Sequence, residues 1–291
     1  MSTETKKANF FFPIIDTWPE YFENPHEGLG TTYERFLLHG FFQRLDQQFN
    51  IEQVLEAPSF GMTGMSGINS LWWAKKQKQV TVVDDHLERL TKIQKIWQQL
   101  QLQASFCLTE RFEKLPFADQ SFDLSWNFAS LWFVKDLPAF CVELSRLTRQ
   151  VIFICVPNRY GVGYQIRLRW PGGTKPELQY QNIRTSNIRK ELERLNWRLA
   201  EKGYFDVPPW PDFPLKKEVL FDKLKVGFLL KLFSKQKKLS ATGERMTILD
   251  YFSNQRPDLE QEVFKFKFLE KAPFPIRQLW AHHQYLIFVK D

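Results

Sequence analysis

Residues 54–64 read VLEAPSFGMTG: an apolar run closing on an acid, then a proline, then two glycines spaced G-x-x-G, with a third at Gly67. If the run is a strand and the glycine turn opens a helix, free backbone N–H groups and the positive end of the helix dipole converge on one spot, which suits a nucleotide or a carboxylate. The next apolar run, QVTVVD (79–84), also ends on an acid, Asp84, with Asp85 beside it. An acid in that place can accept hydrogen bonds from ribose hydroxyls. The turn lacks the compact G-x-G-x-x-G spacing of dinucleotide sites. Taken alone, it reads equally as a strand running into an ordinary loop.

Outward from this stretch, strand-like and helix-like segments alternate, as in a parallel sheet with crossover helices. Strands are predicted at QVLEA (53–57), QVTVVD (79–84), ASFCLT (104–109), SFDLSWN (121–127), QVIFICVP (150–157), EKGYFDV (201–207) and the terminal HHQYLIFVKD. Helices are predicted at 31–49, 65–77, 86–102, 137–147 and 186–197, the third with Leu87, Leu90, Ile93, Trp97 and Leu100 on one face. The domain reading is a 1–50 aromatic extension, a 51–207 α/β core, a Lys/Phe-rich insertion or cap at 208–279, and a last core strand at 280–291.

At 291 residues the chain is near the upper size for a single core, and with 43% hydrophobic residues, 28 Phe and 10 Trp it is far too apolar for a disordered chain. Three dispersed cysteines, Cys107, Cys141 and Cys155, exclude a disulfide framework and point to a reducing compartment. No apolar run is long enough to span a bilayer and no leader is read, so a soluble, cytoplasmic protein is expected. The net charge of +7 is concentrated at 216–238, where eight Lys face only Glu218 and Asp222. That invites a membrane or nucleic-acid reading. Its apolar residues spread around the whole helical circumference, however, so a helix buried as a cap over the site is preferred to either contact.

The segment EKLPFADQSFDLSWNFASLWFV (113–134) resembles the part of class I S-adenosylmethionine-dependent methyltransferases, especially the type 11 group, that runs from the adenine-binding loop through the fourth strand. Its elements are Glu113, Leu115-Pro116-Phe117, Ser121-Phe122-Asp123 and Leu131, and they follow VLEAPSFGMTG and VTVVDD in the order of that family. The resemblance implies a doubly wound, mostly parallel seven-stranded sheet of Rossmann-like form. It implies S-adenosylmethionine as cofactor and a small, partly apolar molecule as methyl acceptor. Carried over residue by residue, Glu56, Ser59, Gly61 and Gly64 hold the methionine part and Asp84, with Asp85 beside it, the ribose. Phe112 and Glu113 surround the adenine, and Asn127 stands near the methyl group. Asp84 is then a solvated carboxylate at the rim of an open site. No catalytic base is named.

The sequence also departs from the family. Four residues, Ala57-Pro58-Ser59-Phe60, separate Glu56 from the first glycine, and Arg111 stands where an Asp is common. These departures also suit the runner-up, a non-catalytic protein that keeps the fold and binds a partner through its basic, aromatic insert; a nicotinamide-dependent reductase ranks third. His282-His283 is read as part of a solvated turn, and no metal is expected.

Overall fold

The computed structural model describes residues 13–169, 173–207 and 246–290. The lysine-rich stretch 216–238 lies outside them, and the idea that it caps the site is not addressed by the described residues.

The sheet has seven strands: β1 (Gln53–Glu56), β2 (Gln79–Asp84), β3 (Ser105–Leu108), β4 (Phe122–Phe128), β5 (Thr148–Pro157), β6 (Trp197–Phe205) and β7 (His283–Lys290). Their order is β3-β2-β1-β4-β5-β7-β6, parallel except for β7, which runs antiparallel to both neighbours. Alternation of side chains drives this arrangement. On β5, Val151, Phe153 and Cys155 point to one core, and Ile152, Ile154 and Val156 to the other. Such strands are buried on both faces and read as near-continuous apolar runs.

One face is covered by α2 (Gly28–Phe49), α3 (Leu71–Lys75) and α4 (Leu87–Gln99), with α8 (Ile248–Phe252) and α9 (Leu259–Val263) beyond. The other carries α5 (Leu137–Leu147) and α7 (Thr185–Arg194), while α1 (Pro13–Glu23), α6 (Val162–Arg169) and α10 (Phe274–Trp280) lie at the periphery. Local chemistry sets the helix starts. Asp136 caps α5 by accepting from the Ala139 N–H at 3.0 Å, with Pro138 in the first turn, where a missing N–H costs nothing. His86 caps α4 through its Nδ1.

Three expectations change. Leu87 faces solvent, since α4 turns Leu90, Ile93, Ile96 and Trp97 inward. The helix expected over 65–77 shrinks to α3, because residues 61–70 are held as a loop by side chains of α2. β6 starts four residues earlier than expected, at Trp197: Asn196 adopts φ 62°, turning the chain from α7 straight into a pairing with Lys290. Within the described residues, α2 buries Phe36, Leu38, Phe42 and Leu45 against the sheet.

Candidate ligand sites at the carboxyl edge

Strand order reverses between β1 and β4, and in open α/β sheets the crevice at that switch point is where ligands bind. Here the chain fills it. After Glu56 the backbone crosses onto the end of β4, with the Ala57 N–H donating to the Trp126 carbonyl at 3.1 Å. A Cβ on Gly61 would collide with the carbonyl oxygen of Phe128. Gly64, at φ +56°, packs against Glu27, Thr31 and Arg35 of the α2 region, and a Cβ on Gly67 would lie 2.6 Å from Ile93 of α4. Each glycine thus permits a close approach of protein to protein, not an open cradle.

The loop is stitched in place from α2. Glu27 and Arg35 form a buried ion pair. Glu27 accepts from the Met65 N–H at 2.7 Å, Arg35 donates to the Met65 carbonyl at 2.8 Å and to the Asn69 side chain, and Thr63 donates to Glu34 at 2.9 Å. Further back, the Trp97 indole N–H donates to the Gly67 carbonyl at 2.8 Å and that of Trp126 to Ser70 at 3.0 Å.

Asp84 ends β2 beside this loop but is fully buried, contrary to the solvated rim expected. Its Oδ1 accepts from Arg89 Nη2 at 2.6 Å and from the His86 N–H at 2.9 Å; its Oδ2 accepts from Arg89 Nε at 3.0 Å and from Ser59 Oγ at 2.8 Å. The Arg89 guanidinium lies 3.8 Å from the centre of the Phe60 ring, a cation–π contact. Asp85 joins the same arginine at 2.6 Å from a half-exposed position. An arginine five residues after Asp84, in the first turn of α4, is the sequence signal for this partner.

The remaining predicted residues fall as follows. Glu56 is buried and accepts from the Ser70 N–H at 3.2 Å; burial pushes its carboxyl up to about 7. Asn127, at the end of β4, donates to the Ala57 carbonyl at 3.4 Å, and its buried Oδ1 has no partner. Phe112 packs in the α5-side core. Glu113 accepts from the Asp136 N–H at 3.2 Å near the surface. Glu56, Ser59, Gly61, Asp84 and Asn127 therefore do converge on one place, but their polar atoms are directed at the protein. In this conformation they do not fit the adenosyl cofactor: its ribose has no open acceptor on Asp84, and the glycine turn leaves no cradle.

The open space lies one step along the sheet edge. A cavity of about 290 Å³ is bounded by α2, the turn after β5, the end of β6 and the start of β7. Met62, Trp132, Leu279 and Trp280 supply apolar wall, and Glu34, Asp206, His282 and His283 are polar groups lining it. His283 is buried on β7, not in a solvated turn; its Nε2 lies 2.8 Å from Glu34 Oε2. His282 Nδ1 lies 2.7 Å from Asp206 Oδ2. Glu34 and Asp206 were not anticipated, because 249 residues separate Glu34 from the histidine it meets and only the folded sheet joins them.

A family model described as "Methyltransferase domain" matches residues 61–154. Among curated proteins nothing matches. Among solved structures, magnesium protoporphyrin IX methyltransferase from Synechocystis PCC 6803, with bound SAH, is 12% identical with a TM-score of 0.52, over 92% of this chain and 86% of that one. The YcgJ protein from Bacillus subtilis is 14% identical with a TM-score of 0.48, over 88% of this chain and 98% of that one. At 12% identity the likeness to the Synechocystis enzyme is one of fold, and it agrees with the sheet described above. Residues 61–154 thus match a methyltransferase-domain model, and the sheet built around them has the methyltransferase-type fold.

Proposed function

We propose that this chain is a methyltransferase-fold binding protein that takes a small, partly apolar molecule in the cavity beside β5 and β7, its adenosyl subsite being closed by its own side chains. The saturation of Asp84 by Arg89, Ser59 and the His86 N–H carries this reading. The cavity's size and its mixture of aromatic wall with a few convergent polar groups suit a small organic ligand.

A second reading is methyl transfer from S-adenosylmethionine to such a molecule. It is favoured by the match over 61–154 and by two acids, Glu56 and Asp84, closing the adjacent strands β1 and β2. The reading requires Arg89 to leave Asp84, so that ribose hydroxyls take its place.

Calorimetry with S-adenosylhomocysteine separates the two. Under the first reading the wild-type chain gives no binding heat at about 1 mM ligand; a Kd below about 100 μM that weakens tenfold or more in Asp84→Asn overturns it in favour of the second. The cavity has its own test. Gly30 lines it, and a Cβ there meets nothing within 4 Å, so Gly30→Phe adds bulk at the cavity wall. Small aromatic and amine fragments that raise the wild-type melting temperature should lose that effect in Gly30→Phe. Fragments that act equally on both proteins would place the binding elsewhere.

A further inference from the structure

The cavity holds more ionisable chemistry than small-molecule binding needs. Glu34, Asp206 and His283 are all buried, and one donor atom from each lies within 4.8 Å of the others. We propose that these three side chains form a binding site for a divalent first-row transition ion such as Zn²⁺ or Mn²⁺.

Several observations converge on it. Each carboxylate has one oxygen held by a neighbouring donor: Thr63 Oγ1 lies 2.9 Å from Glu34 Oε1, and His282 Nδ1 lies 2.7 Å from Asp206 Oδ2. This is the supporting shell that orients ligating carboxylates in metal centres. The Glu34 Oε2 to His283 Nε2 separation of 2.8 Å is close to the edge of about 3.0 Å that two adjacent ligands at about 2.1 Å subtend in an octahedral site.

His283 supplies the independent sign. Its Nε2 faces Glu34, while its Nδ1 is buried with no hydrogen-bond partner. When the proton sits on Nδ1, the Nε2 lone pair faces the Glu34 carboxylate with no proton between them, an arrangement that a bound cation satisfies. A buried polar atom in that condition calls for a ligand. One imidazole and two carboxylates form a mixed N/O set that first-row divalent ions accept. The bland alternative, two unrelated acid–histidine pairs, accounts for Nε2 of His283 and Nδ1 of His282 but not for the gathering of both carboxylates and the His283 ring within 4.8 Å.

The test uses the full chain, freed of metal with chelator and titrated with Zn²⁺ and Mn²⁺ by calorimetry. One equivalent should bind with a Kd of about 10 μM or tighter, and His283→Ala and Glu34→Gln should each weaken it at least a hundredfold. The exposed His26→Ala should bind as the parent does. Circular dichroism of both site variants separates loss of binding from loss of folding. Co²⁺ absorption bands in the visible, appearing at one equivalent on the unmutated chain and abolished by Zn²⁺, give a readout free of mutation. No stoichiometric binding by the folded parent, or binding that survives both site variants, overturns the proposal. The outcome is independent of whether an organic ligand occupies the cavity, since the metals alone are the probes.

Discussion

Replacing Asp84 by alanine should be among the more damaging single changes in this protein, and the cause is Arg89. The pair is buried on both sides, with side-chain exposures of 0% and 5%, and its two N–H to carboxylate contacts are 3.0 and 2.6 Å long. Removing the carboxylate leaves a guanidinium against the Phe60 ring with, among the described residues, the rim carboxylate of Asp85 as countercharge, and removes the acceptor of Ser59 and of the His86 N–H. Breaking a buried pair from one side costs about 3–5 kcal/mol. With an unfolding entropy of about 2.1 cal/mol/K per residue, a chain of 291 residues changes by about 0.6 kcal/mol per degree, so the melting temperature should fall by about 5–8 °C. Asp85→Ala removes a half-exposed partner and should cost about 1 kcal/mol at most. Thermal melts of both variants, with Asp84→Ala/Arg89→Met completing a cycle, check the reasoning. The double variant should regain part of the loss, because it removes the stranded charge. An Asp84→Ala melt within about 1 °C of the parent would show that Arg89 is not held as described.

The buried Glu56 makes stability depend on pH. Its folded pKa of about 7 lies above the ordinary 4.5, so its contribution is fully present below pH 4.5 and is lost as pH rises toward 7, by about 3 kcal/mol. Glu56→Gln should therefore gain on the parent in melting temperature at pH 8 relative to pH 5; a constant difference would refute this. His39 works in the opposite sense. Burial lowers its pKa to about 3, so the stability it confers is complete above pH 6.5 and declines as pH falls toward 3, and His39→Phe should flatten that acid limb of the melting profile. Gly61→Ala drives a methyl into the Phe128 carbonyl and should cost about 1–3 kcal/mol by denaturant titration, whereas Gly40→Ala, with open space around it, should cost nothing.

The strands were legible because burial on both faces writes them as continuous apolar runs, of which β5 is the clearest. The acids Glu56 and Asp84 were rightly placed at strand ends. What the sequence concealed was the company those acids keep. Arg89, in the first turn of α4, meets Asp84 five residues before it at the end of β2, a short-range pairing, but saturation of the carboxylate also needed Ser59 from the preceding loop and the His86 N–H. Glu34 and His283 come from opposite ends of the chain, and no periodicity links them. The spacing of Gly61, Gly64 and Gly67 was visible, yet a glycine needed for a ligand and a glycine needed for a neighbouring helix look alike in sequence.

The ties running from Glu27, Glu34 and Arg35 to residues 63–69 bear on how this protein can be dissected. A fragment begun at residue 51, the usual way to isolate an α/β core, would discard every one of those anchors together with the apolar face of α2. What remained would be a different object: a sheet with a bare flank and a glycine turn released from restraint. Ligand affinities measured on such a fragment would describe the released turn, and only a chain that retains the first fifty residues reports on the closed one.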